Sequence, residues 1–334
     1  MKIGSVELIC PRCRSALLSE GDELVCVECA CRYPVVAGIP DMRLAPDPWI
    51  GLEDDRHKAL RVLDEAAGLD FAGHVRTYWK LTPTTDSAQA DRFTEHVLGA
   101  EARTREWLVA SAGSAVDAPE DGVWLDLGCG TAEVSVVVAP GVAVVGVDVA
   151  MRWLVIARKR LEEAGVDALL VCANAESLPF RDRAFTHVVA LGLIEHSPHL
   201  DSIAGETRRV LGPRGSVRAR TVNRFSMLPE PHVGLWGVGF LPRSWADPYV
   251  RWRSSLNYEH HHPWSAGAIR RALRRAGFSR VRVEAGASLE SDLERAGRLV
   301  RLLTPLYEWA RRIPVLRHLV TSVAPLIDFA GVAQ

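Results

Sequence analysis

From Val123 onward the hydrophobic positions fall into short continuous blocks separated by amphipathic stretches. Val123-Trp124-Leu125-Asp126-Leu127 is an apolar run that closes on a glycine-rich turn, as a buried strand does. Residues 142–147, 169–173, 185–191, 215–222 and 281–284 share its β-branched character and predict further strands. Between them, residues 153–164, 200–211 and 266–276 repeat apolar side chains every three or four positions and predict helices. The second of these stops at Gly212-Pro213 and the third at Gly277-Phe278. Strands alternating with helices predict a parallel α/β sheet.

The flanking pattern is different. Residues 1–44 form a small Cys-rich unit, and Ala45-Pro46-Asp47-Pro48 predicts a linker. Residues 45–115 are this linker and a helical cap, with an amphipathic pattern over 91–110. The α/β domain is expected over 116–288, interrupted at 223–263 by a stretch rich in Pro, Gly, His and Trp. Residues 289–334 predict a helical tail. There Leu299, Leu302, Leu303, Leu306, Ala310 and Ile313 recur at helical spacing, with Arg298, Arg301, Arg311 and Arg312 off that stripe. From 267 to 318 there are twelve arginines against five acids. Such a helix rests on an anionic membrane, covers an apolar substrate, or packs its stripe on the body and leaves the arginines solvated, which is the simpler expectation.

Composition narrows the class. With 48% hydrophobic and 24% charged residues, a chain of 334 can bury a sizeable core, which excludes a disordered or fibrous protein. The net charge of −1 gives no global field that selects nucleic acid. The longest uncharged apolar run, 134–147, is broken by Pro140-Gly141 and is too short to span a bilayer. The opening MKIGSVELIC lacks the apolar core of a signal peptide, so a cytoplasmic location is expected.

In that reducing compartment the cysteines read as a metal site. Cys10-Pro-Arg-Cys13 and Cys26-Val-Glu-Cys29 are two C-x2-C knuckles, whose four thiolates can close a tetrahedron around structural zinc. Cys31 is either a spare thiol or a substitute for Cys29. The segment 8–42 resembles the Trm112-like zinc-ribbon family through Cys-Pro-x-Cys, Leu24-Val25-Cys26-x-x-Cys29, Tyr33-Pro34-Val35 and Gly38-Ile39-Pro40. That resemblance implies a partner or fused appendage of a methyltransferase.

The turn Asp126-Leu-Gly128-Cys129-Gly130-Thr131-Ala-Glu133 follows a strand and opens a helix. Its two glycines permit close backbone approach to a ligand. A dinucleotide fingerprint wants a third glycine where this chain has Glu133, and an acid at 126 disfavours a pyrophosphate. Asp148 ends the next strand, where an acid can take both hydroxyls of a ribose. Asn174-Ala175-Glu176 follows the third strand, and Glu195-His196 the fourth.

Taken together, residues 123–285 resemble the class I S-adenosylmethionine-dependent methyltransferases, in the group that includes the ubiquinone/menaquinone methyltransferases. The resemblance implies a Rossmann-like seven-stranded sheet. It implies that Asp126, Gly128, Cys129 and Gly130 line the amino-acid part of S-adenosylmethionine, that Asp148 with Val149 holds the ribose, and that Asn174 and Ala175 face adenine, with Leu191 also at the cofactor. The family usually has Asp at the positions of Asn174 and Thr186.

A sulfonium is already an activated electrophile, so the protein mainly excludes water and aligns the acceptor. A base is needed only when the acceptor starts out protonated. Glu195 and His196 are candidates, beside the alternative that they cap and pack a helix. In His260-His261-His262, three consecutive rings cannot all face one metal; His261 is a candidate base or substrate ligand. Trp236, Trp245, Trp252 and Trp264 either floor an apolar pocket or pack the insertion. The expected substrate is a small, apolar metabolite methylated at oxygen or carbon. The alternatives are an RNA methyltransferase that docks RNA through its ribbon, disfavoured by the scarcity of positive charge in residues 1–60, and a non-catalytic binding protein, disfavoured by the intact Asp126, Gly128, Gly130 and Asp148 set.

Overall fold

The alternating blocks fold as strands and helices close to the predicted ranges. The computed structural model describes residues 2–3, 6–111, 122–139, 141–254, 256–295 and 297–334. The expected boundary at 115/116 and Pro140 lie outside the described residues. The chain divides into two units: residues 1–105, 118–189 and 209–215, and residues 106–117, 190–208 and 216–334.

The first unit begins with a short pair, β1 (Lys2–Ile3) and β2 (Val6–Glu7). An antiparallel sheet β3 (Leu17–Glu20), β4 (Glu23–Cys26), β5 (Arg32–Val36) and β6 (Ile39–Pro40) follows. A two-residue turn at Ala37 and Gly38, both with positive φ, joins β5 to β6, the geometry that matches strand twist in a tight hairpin. Four helices come next: α1 (Leu52–Glu65), α2 (Phe71–Lys80), α3 (Ser87–Leu98) and α4 (Ala100–Ser111). Asp70 and Asp86 accept from Gly73 N and Gln89 N, supplying the missing partners at the starts of α2 and α3. The α/β part follows, with β7 (Val123–Leu127), α5 (Glu133–Val138), β8 (Ala143–Asp148), α6 (Met151–Ala164), β9 (Ala168–Cys172) and β10 (Phe185–Leu191). Within it β10, β7, β8 and β9 pair in parallel.

Helix α6 organises this unit. Met151, Leu154, Val155 and Ile156 pack with Ala59 and Val62 of α1, with Phe71, Val75 and Tyr78 of α2, and with Ile39 of β6. The ribbon and the helical cap therefore share one core with the α/β part. Each such fully buried aliphatic side chain contributes about 1.5–3 kcal/mol. The stretch predicted as a linker at 45–48 is not a free tether. Asp41 bridges to Cys172, Met42 N donates to Cys172 O at 2.7 Å, and the buried Asp47 accepts from Arg152 Nη2 at 2.7 Å.

Helix α6 starts at Ala150, which has no capping side chain. Asp55 of α1 takes over. Its Oδ2 accepts from Met151 N at 2.8 Å and from Arg43 Nη1 at 2.6 Å, while Oδ1 accepts from Arg152 Nη1 at 2.7 Å. Arg43 also holds both oxygens of Asp41, and Arg56 reaches Asp41 Oδ2 at 2.7 Å. A fully buried carboxylate at a helix N-terminus, matched by guanidinium forks, is favourable only as a complete set.

The second unit holds α7 (Leu200–Val210), β11 (Leu211–Val222), α8 (Arg243–Arg253), α9 (Ala266–Arg275), β12 (Phe278–Ala285), α10 (Glu290–Arg295), α11 (Arg298–Arg312), α12 (Pro314–Val323) and β13 (Leu326–Ala333). Seven strands form one sheet in the order β12-β13-β11-β10-β7-β8-β9. This is a Rossmann-like α/β sheet. The expectation of a tail helical to its end is corrected: residues 326–333 are a strand, antiparallel to both β11 and β12. Asp328 anchors it, accepting from Arg220 Nε at 2.7 Å and from Trp107 Nε1 at 2.9 Å.

The tail helix is also turned over relative to its simpler expectation. Leu299, Leu302, Leu303, Leu306 and Trp309 of α11 are 50–75% exposed. The face held to the body is polar, with Tyr307 Oη donating to Gly286 O and Glu308 Oε1 accepting from Ser288 N.

Candidate cofactor turn, thiolate cluster and histidine cluster

The strand β7 gives way to the turn because Gly128 (φ 75°) and Gly130 (φ 48°) take left-handed conformations that favour glycine. Gly128 N and Cys129 N both donate to Val147 O, at 2.7 and 2.9 Å, clamping the turn to β8. A Cβ built on Gly130 meets nothing within 4 Å, so the backbone there borders open space. Asp148 Oδ2 accepts from Gly130 N at 2.9 Å and Oδ1 from Ala150 N at 2.8 Å. One lone pair on each oxygen remains for hydroxyls of a ligand. Burial pushes the Asp148 carboxyl up to about 6, against the pull of those two N–H groups.

Asp126 is placed differently from its expected position lining a ligand. It is buried, and Oδ2 accepts from Ser135 N at 3.0 Å and from Ser135 Oγ at 2.8 Å, so it braces α5 from below. Burial, followed by the nearby Glu133, pushes it up to about 8. Cys129 is buried as well. A Cβ on Gly146 would lie 2.8 Å from Leu170 Cδ2 and 3.1 Å from Cys129 Sγ, so this contact requires small residues at both positions. Val149 is half-buried, and its carbonyl accepts from Arg43 Nη1 at 3.0 Å.

The side chain of Asn174 has other partners than adenine. Its Oδ1 accepts from Leu44 N at 2.8 Å and Ala45 N at 3.1 Å, and its Nδ2 donates to Ala45 O at 3.2 Å. The chain leaving the ribbon therefore grips this position, with Ala175 half-buried beside it. Leu191, half-buried, belongs to the second unit.

In the ribbon, the sulfur atoms of Cys10, Cys13, Cys26 and Cys29 lie within 4.8 Å of one another. Three of the separations are 3.6 Å (Cys10–Cys29), 3.3 Å (Cys13–Cys26) and 3.5 Å (Cys13–Cys29). Zinc–sulfur bonds of about 2.3 Å in a tetrahedron put sulfurs roughly 3.8 Å apart, so the four side chains fit that ion. Cys31 stands outside the quartet, 3.5 Å from Arg12 Nη1. Tyr33 Oη lies 3.1 Å from Cys10 Sγ, where a hydroxyl can donate to a thiolate.

In the second unit Glu195 is buried, with Oε2 accepting from Thr221 Oγ1 at 2.8 Å. That bond ties the carboxylate to β11. His196 next to it points elsewhere and meets His232 and His261, with ring centroids 5.1 and 5.5 Å away. His232 and His261 are 4.3 Å apart. Burial, with His232 and His196 adding to it, pushes His261 down to about 2. Burial opposes the charged form of His232, but the Glu230 carboxylate at 2.6 Å holds it above its usual value. His232 is absent from the sequence-based candidates. Its signal was Pro229-Glu230-Pro231-His232, a carboxylate and an imidazole two residues apart in a rigid turn.

Of the tryptophans, Trp236, Trp245 and Trp252 are exposed and do not floor a pocket. The insertion packs around Val238, Ala246, Val250 and Tyr258 instead. Trp264 Nε1 donates to Ile194 O and Ser197 O.

The methyltransferase-domain family matches residues 125–219. Residues 125–219 thus carry a class I, S-adenosylmethionine-dependent methyltransferase domain. Demethylmenaquinone methyltransferase of Thermus thermophilus is 36% identical over 118 residues, which is 34% of this chain and 50% of that protein. A ubiquinone/menaquinone biosynthesis C-methyltransferase of Bartonella henselae is 34% identical over 29% of this chain and 38% of its own length. The 27-O-demethylrifamycin SV methyltransferase of Amycolatopsis mediterranei is 32% identical over 32% of this chain and 40% of its own. The chain thus spans half or less of the length of these curated relatives.

Proposed function

We propose that this chain moves a methyl group from S-adenosylmethionine to an oxygen or carbon of a small, apolar metabolite. The observation that carries the reading is the open left-handed turn at Gly128–Gly130 with Asp148 fixed beside it by two backbone N–H groups. In this reading the turn holds the amino-acid part of the cofactor and Asp148 takes its ribose hydroxyls. Cys129 and Asp126 shape the turn from beneath, and Val149 and Ala175 flank the nucleoside. When bound, S-adenosylmethionine supplies a methyl group on a sulfonium that leaves as a neutral thioether. The acceptor attacks that carbon in line, so the protein's work is alignment and exclusion of water.

An oxygen or acidic carbon must also lose a proton. Glu195, His196 and His261 are the candidates for this step, the two imidazoles only while their ring nitrogens are unligated. The relatives named for menaquinone, ubiquinone and rifamycin substrates support an apolar acceptor, two of them at carbon or oxygen respectively. The four thiolates of Cys10, Cys13, Cys26 and Cys29 hold structural zinc in a Trm112-like ribbon.

Calorimetry tests the cofactor. Asp148→Ala is expected to weaken S-adenosylmethionine binding at least tenfold, through the loss of charge-assisted hydrogen bonds to the ribose. Absence of binding to the native chain at micromolar concentration would remove the methyl-transfer reading itself.

The exposed leucine face of α11, flanked by Arg298, Arg301 and Arg312, supports contact with an anionic lipid surface where apolar acceptors dissolve. Co-sedimentation with phosphatidylglycerol/phosphatidylcholine vesicles should fall when Leu302 and Leu306 are replaced by Glu. Unchanged co-sedimentation, or a dimer closed through this face, would contradict it. Among the described residues no helix is long and apolar enough to cross a membrane.

A second reading, methylation of RNA, is favoured by one feature: a cavity of about 620 Å³ lined by Arg270, Arg282, Arg311, Arg312, Arg317 and His318. A gel shift that weakens with salt would support it over the first.

A further inference from the structure

The histidine cluster is assembled from three turns far apart in the chain, and each turn is fixed by its own hydrogen bonds. His196 ends the turn after β10, where Trp264 Nε1 binds Ile194 O and Ser197 O. His261 is tied to the same turn through its neighbour, since His262 N donates to Glu195 O at 2.6 Å. His232 sits in a turn that Glu230 closes, with Oε2 accepting from His232 N at 2.8 Å and from Val233 N at 3.1 Å. The ligating atoms of the three rings converge to within 4.8 Å of one another.

Three half-buried imidazoles thus present their ligating atoms to one point. We propose that His196, His232 and His261 together hold a divalent transition-metal ion of the zinc kind, oriented by Glu230. Nitrogens bound at about 2.0–2.1 Å around a tetrahedral ion stand roughly 3.3 Å apart, inside the 4.8 Å spread of the three rings' ligating atoms. Three imidazole ligands suit zinc, iron, cobalt, nickel or copper and do not suit magnesium or calcium.

The outer shell is present too. Glu230 Oε1 lies 2.6 Å from His232 Nδ1. A proton held there makes Nε2 the ligating nitrogen and raises its basicity, as carboxylate–histidine–metal triads do. Behind His261, Tyr258 stacks on its ring with centroids 5.1 Å apart and planes 11° from parallel, which fixes the ring plane. Three protein ligands leave a fourth position for water or an anionic oxygen. This cluster differs from the run 260–262, of which it uses His261 alone. The occupancy stands whether or not the chain transfers methyl groups.

Equilibrium dialysis of the full-length chain against Zn²⁺ followed by elemental analysis tests it. Two equivalents are expected, one for the thiolates and one for the imidazoles. His196→Ala and His232→Ala should each reduce the count to one, and His260→Ala should leave two. Glu230→Gln should weaken the second equivalent about 10- to 100-fold. Titration of the unsubstituted chain with Co²⁺ gives a readout that does not depend on variant folding. The imidazole-bound equivalent should add visible absorption with no further sulfur-to-metal charge transfer. A single equivalent whose spectrum is entirely thiolate, or a second one that survives His196→Ala and His232→Ala with unchanged circular dichroism, overturns the proposal.

Discussion

Replacing Asp55 with alanine is expected to destabilise the chain by about 3–5 kcal/mol, because it strands buried charge. Asp55 is fully buried and joins three parts of the first unit: Arg43 after the ribbon, Arg152 of α6, and the Met151 N–H at the start of that helix. Without it, both buried guanidinium groups lose a carboxylate, and α6 loses its cap. The core around Met151, Leu154 and Ile156 depends on that helix. Urea denaturation followed by circular dichroism measures the change. The control is Glu20→Ala, which removes half of an exposed pair with Arg32 and should shift stability by less than about 1 kcal/mol. A loss below about 1 kcal/mol at Asp55 would mean that the network relaxes to solvent and does not hold the unit together.

Chelation of the ribbon metal is expected to have a comparable effect, confined to a different segment. Strands β3 to β6 are short, and the first of them is largely exposed at its side chains. A unit of this size gains little from its own core, so zinc at the proposed four-thiolate site would supply much of its folding free energy, on the order of 10 kcal/mol in isolated zinc modules. Hydrogen exchange should show the amides of residues 17–36 losing protection when a strong chelator is added, while α6 and β8 keep theirs. Cys26→Ser should reproduce the loss. Cys31→Ser should not, since Cys31 lies outside the quartet and contacts Arg12 instead. Protection that persists in a chain shown to be metal-free would mean that docking of Ile39 into the α6 core is enough to hold the ribbon.

The sheet was legible because its signals are local. An apolar run ending at Gly128-Cys129-Gly130, or at Asp148, carries its strand and its turn in adjacent residues. The two C-x2-C knuckles were legible for the same reason. What escaped depends on partners far apart in sequence. Strand β13 reads as an apolar tail, and only its pairing with β11 and β12 across more than forty residues makes it a strand. Asp55 looks like one acid in an acidic helix start until Arg43 and Arg152 fold around it. The leucines of α11 have the spacing of a buried stripe, and spacing alone does not say which face meets the body. At the site, Asp126 occupies the expected position in the chain but turns towards Ser135. His232 joins His196 and His261 only through the folding of the insertion.

The grip of Asn174 on Leu44 and Ala45 carries a thermodynamic consequence. A nucleoside that needs the Asn174 amide competes with a peptide already bonded to it on both edges. The observed affinity is then the intrinsic one reduced by the fraction of molecules in which that peptide has let go. Reciprocity requires the opposite influence to be equal: a bound nucleoside must loosen the attachment of residues 41–45 by the same factor. Those residues continue directly from β6, so a bound nucleoside would loosen the chain where it leaves the ribbon.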